Sequence, residues 1–373
     1  MTTDKPIGIA LIGCGGIALA NHIPGVMTTK TAKIVALCDS SEAALQRASA
    51  QTGITTINTN YEEVIARDDV HAVIIATPNF LHTPIALAAI KAGKHVMCEK
   101  PIALGAADAL AMARAADAAG VCHMTAFTYR FVPAMRYIAH LVQDGFLGTP
   151  FHLRAQRLQD WGSRAVGWRQ VKKLAGSGET GDMLSHRIDF GHLLMGDLTR
   201  MVSHTRRWLD ERDGMPNDLE DWVAIIGEFA NGATAVWESS KHVTARGEGG
   251  QSPDVCEVNG SAGSLIYQLG HPLEVQMGRK GDSQLQSVPV PPEFLKHPAS
   301  PRDPAEGDPI KTFRYDQDAE FVDAIVNERP CSPSFWDGLR AQLVIDAALE
   351  SSDERAWVPI DYGPAARKVA QHG

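Results

Sequence analysis

Short apolar runs alternate with amphipathic stretches through the first third of the chain. IGIALIG (Ile7 to Gly13), KIVALCD (Lys33 to Asp39), AVIIAT (Ala72 to Thr77), HVMCEK (His95 to Lys100) and CHMTAF (Cys122 to Phe127) are apolar on both faces, as central parallel strands are. Between them, Ser40 to Thr52, Leu81 to Ala92 and Gly105 to Ala119 are rich in Ala and Leu, with apolar residues three and four apart. Each is expected to cross back as a helix covering one sheet face. The pattern predicts an α/β fold whose first part is a doubly wound parallel sheet of Rossmann type.

After Phe127 the texture changes. Pro133 to Gln143 reads as a helix and PFHLRAQRLQDW as a long strand; MVSHTRRWL, WVAIIGEF, ATAVWESS, VCEVNG and GSLIYQL then alternate as half-buried strands do. Asn231-Gly232, between two of these runs, is a hairpin signal. Helices are expected near Asp182 to Met195, Asp316 to Asn327 and Trp336 to Ser351. The expectation is a Rossmann domain over residues 1–127 and, over 128–373, an α+β domain with a large, mostly antiparallel open sheet. Gly270 to Asp316, rich in Pro, Gly and charge, is expected to be loop. An exposed sheet face would be buried by a second copy, so a homodimer or homotetramer is expected.

Composition narrows the class. With 373 residues and 44% hydrophobic content, two cores are affordable. The net charge of -9, with 35 Lys and Arg scattered along the chain, argues against a nucleic-acid partner and for small neutral or anionic ones. Met1 to Pro6 is polar and no apolar run approaches the ~18 residues of a membrane span, so no membrane partner and a cytoplasmic location are expected. The six cysteines form no CxxC pair and read as buried thiols. Cys14 is the exception, being placed where a helix N-terminus favours a thiolate.

Gly13, Gly15 and Ala18 fit GxGxxG/A directly after a strand and at the start of a helix, with Gly16 and Ile17 inside the turn. Glycines there let the backbone approach a pyrophosphate. Asp39, ending the second strand, is placed to accept the adenosine ribose hydroxyls and to repel a 2′-phosphate; Ser40 and Ser41 supply no arginine, so NAD is preferred over NADP. Asp39 could instead cap the next helix. ATPNFLH (Ala76 to His82) follows the third run, so Thr77, Asn79 and His82 could line the nicotinamide side, with Asn79 equally suited to capping a helix.

GCGGIA, ATPNFLH, AGKHVMCEKPIAL, TYRFVPA, LQDW and GLRAQ occur in the order seen in the Gfo/Idh/MocA family of glucose-fructose oxidoreductase and inositol dehydrogenase, and the resemblance spans nearly the whole chain. It implies NAD(P) and a sugar or polyol substrate. It also places Lys100 beside the nicotinamide, where a lysine can accept or relay the proton that leaves a hydroxyl as hydride leaves its carbon. Glu99 would contact the nicotinamide ribose or carboxamide. Asp182 and His186, four apart in GDMLSHRID, match the family's Asp-x-x-x-His pair: the aspartate holding a hydroxyl, the histidine acting as acid/base. Asp189 continues that pattern or anchors the histidine. A metal held by Asp182, His186 and His192 is the alternative, set aside for want of a suitable ligand set.

The sequence departs from the family pattern just here. Gly178-Glu179-Thr180-Gly181 replaces a more apolar run, and Ser185 stands where glycine is frequent, which points to a subgroup with its own pocket. Trp161 and Trp168 could stack on a sugar ring or simply pack in the core. Gln159, Asp160 and Arg169 could bind hydroxyls or a cofactor phosphate, and the resemblance places Tyr129 and Arg130 similarly. The implied reaction is hydride transfer between nicotinamide and a ring carbon. The alternatives are an NAD-dependent glycosidase or lyase that oxidises the sugar only transiently, and a non-enzymatic NAD sensor.

Overall fold

The computed structural model describes residues 6–248 and 252–363, and the outer ends of both expected domains lie outside it, as does most of the polar start at Met1 to Pro6. The chain divides into two compact units, 1–128 with 296–339 and 129–295 with 340–373.

The first unit holds six parallel strands: β1 Ile7–Ile12, β2 Ala32–Cys38, β3 Ile57–Asn58, β4 Ala72–Ile75, β5 His95–Cys98 and β6 His123–Thr125, in the order β3-β2-β1-β4-β5-β6. The five apolar runs each supply a strand, and β3, only two residues long, is the one the pattern did not signal. Helices Glu42–Thr52, His82–Lys91 and Ala106–Ala119 are the expected crossovers. Strands stop where the runs turn polar, so Asp39, Thr77, Glu99 and Lys100 stand just beyond the carboxyl ends of β2, β4 and β5. That edge is where open α/β sheets bind ligands.

Residues 296–339 do not join the second unit, contrary to the contiguous 128–373 expectation. They pack on the first because helix Tyr315–Val326 buries Asp316, Asp318, Glu320 and Phe321 there, and because Cys122 and Cys331 are joined by a disulfide, with Cα atoms 6.4 Å apart. Reading all six cysteines as thiols was therefore wrong for these two, which lie 209 residues apart, a pairing that spacing does not signal. Cys331→Ser is expected to cost about 2–4 kcal/mol and several degrees of Tm. Peptide mapping without reductant checks the bond itself, and an unchanged Tm on reduction would contradict the stabilising role.

The second unit is built on a nine-stranded sheet. Its strands are β7 Pro150–Leu158, β8 Leu198–Arg206, β11 Trp222–Phe229, β12 Thr234–Ser240, β13 Asp254–Gly260, β14 Gly263–Gln268, β15 Glu274–Arg279, β16 Gln286–Pro289 and β17 Val358–Pro359. The order is β16-β15-β14-β13-β7-β12-β11-β8-β17, and a separate short hairpin pairs β9 Glu211–Arg212 with β10 Met215–Pro216. Pairing is antiparallel except between β7 and β12. Asn231-Gly232 turns β11 into β12, with Gly232 at φ 88° and the Asn231 side chain accepting from Ala233 N–H at 3.0 Å. The stretch expected as loop from Gly270 contains β15 and β16, because EVQMGR alternates after a short turn and extends the sheet by a hairpin. Helix Ser185–Met195 lies buried along almost its whole length, with Trp237 Nε1 donating to Arg187 O at 2.9 Å. No helix among the described residues is long and apolar enough to cross a membrane.

Candidate active site

In the first unit, Gly13 has φ 98° and its missing Cβ leaves room for the Ala76 and Thr77 backbone, so β1 and β4 close together under the loop. At Gly15 and Gly16 a Cβ would meet nothing within 4 Å, leaving the loop's outer surface open to a pyrophosphate. Ile17 and Ala18 begin the helical segment, in which Ala18–His22 forms a π-turn before helix Ile23–Thr28. Such turns concentrate at functional sites.

Asp39 fixes the loop from below: Cys14 N–H donates to Oδ2 at 2.7 Å and Ser41 N–H to Oδ1 at 2.9 Å. Each oxygen keeps a lone pair for a ribose hydroxyl. Ser41, not Asp39, caps helix Glu42–Thr52, its Oγ accepting from Ala44 N–H at 3.3 Å. Cys14 is not a poised thiolate, since burial and then the Asp39 charge push its thiol up to about 12. These groups fit a dinucleotide.

Thr77 Oγ1 is buried without a hydrogen-bond partner among the described residues, a group suited to a bound nucleotide; Asn79 beside it is buried. His82 is engaged by backbone on both sides. It is fully buried, with Nδ1 2.9 Å from Pro101 O and Nε2 3.1 Å from Thr77 O, so it ties the loop after β4 to the turn after Lys100. Burial lowers its pKa, against the pull of the Thr77 and Pro101 carbonyls.

Glu99 and Lys100 follow β5, Lys100 half-buried before a cis proline. Glu99 Oε2 accepts the Lys100 N–H at 3.1 Å, while Oε1 lies 3.1 Å from His22 Nε2; on the other side of that ring, Nδ1 lies 2.9 Å from Asp318 Oδ1. Only a protonated ring donates at both nitrogens. Burial opposes that charge, but Asp318 and Glu99 overcome it and hold His22 up to about 10. Burial pushes Asp318 up to about 6 against the pull of His22. Near neutral pH both carboxylates are therefore ionised and the ring between them is protonated. Glu99, despite burial, is held below the ordinary range by His22 and Lys100. Gly25 makes this possible, because a Cβ there would strike the Asp318 carboxylate. Sequence reasoning missed His22 and Asp318. The only signal was a polar residue inside the apolar helix that follows the glycine loop.

In the second unit, Asp182 lies in a π-turn, Thr180–Leu184, that runs directly into the helix carrying His186. Asp182 is half-buried and His186 buried. The His186 ring packs edge-on against Tyr129 at 4.6 Å, and Arg187 stacks on Tyr129 at 4.6 Å. Arg187 is also paired with buried Asp254. Asp189 receives Arg130 in a two-pronged ion pair (2.7 and 2.5 Å), so the arginine expected at the cofactor holds this helix.

Gln159 and Trp161 are buried beside the end of β12, whereas Asp160 is exposed and accepts from Ala245 N–H at 2.7 Å, bracing a loop. Trp168 is half-buried with exposed Arg169 stacked on it at 4.3 Å, away from a core role. His192 is committed elsewhere: its Nε2 lies 2.8 Å from Tyr362 OH, and burial followed by the nearby Arg340 and Arg130 lowers its pKa well below the usual value. Among the described residues no group of three or more His, Cys, Asp or Glu side chains could hold a metal ion.

Comparison with known proteins places these features. Residues 7–127 match the model of the oxidoreductase family with NAD-binding Rossmann fold, and residues 135–266 match the GFO/IDH/MocA C-terminal domain. A levoglucosan dehydrogenase of Pseudarthrobacter phenanthrenivorans is 30% identical over 353 residues, 88% of this chain and 89% of that protein. The chain belongs to the Gfo/Idh/MocA oxidoreductase family. Within this family, an inositol 2-dehydrogenase of Rhizobium meliloti is 26% identical, covering 95% of this chain and 99% of its own. A levoglucosan dehydrogenase solved in complex with NADH and levoglucosan superposes with a TM-score of 0.87 at 30% identity, over 95% of this chain and all of that one. This member is thus an oxidoreductase with an NAD-binding Rossmann unit. Asp318, which clasps His22, lies beyond both family-model matches.

Proposed function

We propose that this chain is an NAD-dependent dehydrogenase or reductase acting on a ring carbon of a sugar, anhydrosugar or cyclic polyol. The observation that carries the reading is Lys100, two residues past β5 at the ligand-binding edge of an NAD-binding sheet, with its neighbour Glu99 held by His22. The relatives that act on levoglucosan and inositol support the substrate class. NAD bound there supplies the hydride acceptor. Lys100 takes or relays the hydroxyl proton, Asp182 orients the hydroxyl, and His186 shares the proton transfer. Gln159 and Trp161 contribute to sugar binding. The glycosidase or lyase alternative is not favoured, because the relatives compared above are dehydrogenases.

NAD rather than NADP is supported by Asp39 at the end of β2, followed by Ser40 and Ser41 rather than an arginine. Asp39→Ala is expected to weaken NADH binding and to narrow the preference for NADH over NADPH, read as the two Kd values by nicotinamide fluorescence. An unchanged ratio would remove Asp39 from the selectivity. A homo-oligomer is supported by an apolar stripe on the second sheet, where half-exposed Ile226 pairs across with Val202 and Val236.

The test is nicotinamide absorbance with NAD or NADP and a panel of hexoses, anhydrosugars, inositols and glycosides. Stoichiometric reduced cofactor with one sugar class is expected; glycoside cleavage without net reduction would overturn the reading.

A further inference from the structure

Glu179 breaks the family's apolar pattern before Asp182, and its surroundings give it a use. Its carboxylate is fully buried. Oε1 accepts from Ser239 Oγ at 2.6 Å, while Oε2 has no hydrogen-bond partner among the described residues. Lys241, at the end of β12 and 2% exposed, brings Nζ to 3.6 Å from that same Oε2. The separation is close enough for attraction but too long for a hydrogen bond, so the ammonium and the carboxylate each keep capacity to spend.

The neighbours share this character. Nζ lies 5.0 Å over the Trp161 ring. Gln159, just past the end of β7, flanks Lys241, its N–H donating to Ser240 O at 2.8 Å, and its side-chain Oε1 is buried with no hydrogen-bond partner among the described residues. Thr180 Oγ1, next to Glu179, is likewise buried with no hydrogen-bond partner among the described residues. Asp182 is close enough to raise the Glu179 pKa, after the larger effect of burial and against the pull of Lys241. Buried polar groups with unmet capacity are rare unless they serve a ligand or water.

The backbone here is held independently of the pair. Glu220 Oε1 accepts from Gly178 N–H at 2.7 Å and Thr180 N–H at 3.1 Å, and a Cβ on Gly178 would strike the Glu220 backbone. The turn that presents Glu179 therefore has its own anchor.

We infer that Glu179 and Lys241, with Gln159 and Trp161, form a subsite that recognises adjacent hydroxyls of a neutral sugar ring and excludes anionic sugars. This rests on the sugar-oxidoreductase reading and sharpens its substrate class. An ammonium donor beside a carboxylate acceptor matches a vicinal diol, which donates through one hydroxyl and accepts through the other. The pair cancels its own charge. A phosphate or uronate group drawn to Lys241 would face the Glu179 carboxylate at the same point, whereas a lysine alone would welcome it.

The test is calorimetric titration of the NADH-bound protein with a neutral sugar and its uronate and phosphate counterparts, alongside steady-state kinetics. Calorimetry reads occupancy whether or not hydride moves, so loss of the dehydrogenase reading and loss of this subsite give different results. The wild type should bind the neutral sugar at least about tenfold more tightly than the anions. Lys241→Met should raise KM for the neutral sugar about 10- to 100-fold with kcat changed far less. Lys241→Arg should recover part of the loss, and Glu179→Gln should shift preference toward the anions. Unchanged KM in folded Lys241→Met and Glu179→Gln proteins, with only Tm lowered, would make the pair structural. Should those variants fail to fold, wild-type affinity for anionic sugars equal to or above that for the neutral one would overturn the inference.

Discussion

Lys100→Ala should lose about 10²- to 10⁴-fold in kcat while binding NADH with near-native affinity. The separation of the two effects follows from where the groups lie. On the proposed reading the nucleotide is gripped by the glycine loop and by Asp39, which is fixed through Cys14 and Ser41 N–H groups that do not involve Lys100. Lys100 stands beyond the carboxyl end of β5, and its N–H leans on Glu99 rather than on the loop. Removing the side chain deletes the proton acceptor that lets a hydroxyl become a carbonyl as hydride departs, and it leaves the nucleotide cradle intact. At about 1.36 kcal/mol per decade, this is some 3–5 kcal/mol of transition-state stabilisation. Single-turnover absorbance with saturating NAD isolates the step from product release. Near-native turnover in this variant would refute the catalytic assignment; a large loss of NADH affinity would move Lys100 into the binding machinery.

The sheet edges and the glycine loop were legible because each rests on a local pattern. A run apolar on both faces has to lie inside a parallel sheet, and the point where it turns polar marks the ligand-binding edge, which placed Asp39, Thr77 and Lys100 without any tertiary information. Asn231-Gly232 carried its own turn chemistry in the same way. What was missed depends on contacts distant in sequence. Cys122 meets Cys331, and His22 meets Asp318 across 296 positions. No periodicity encodes such pairs. The contacts of His82 were hidden for a related reason: its ring nitrogens face the carbonyls of Pro101 and Thr77, which only the folded loops bring to it. Arg130 was similarly taken by Asp189. Glu179 shows the opposite case, a departure visible in the sequence whose meaning appeared only when β12 delivered Lys241 beside it.

Asp318→Asn is expected to lower the pH at which the protein loses alkaline stability. His22 stands between two carboxylates, Asp318 at 2.9 Å and Glu99 at 3.1 Å, with Lys100 and His82 as the other titratable groups near Glu99. The histidine pKa is raised to about 10 in the folded protein. A raised histidine stabilises the fold in full below its unfolded value of about 6.5, and that stability is lost as pH climbs through the folded value. The raised Asp318 has the same sign over a lower window: its contribution favours folding at acid pH and is lost as pH rises through about 6. Above that point the buried carboxylate is a cost, offset by the protonated ring. Asparagine removes both the cost and the attraction, so His22 keeps one carboxylate and releases its proton earlier. Leaving that buried charge half-compensated should cost about 3–5 kcal/mol near neutral pH. Tm measured from pH 6 to about 10.5 should hold to a higher pH in the wild type than in the variant. With the ring no longer protonated, Glu99 loses its charged donor beside Lys100, so the variant's turnover should decline over the same interval. Superimposable alkaline limits in the two proteins would mean that the clasp is not what holds His22 charged.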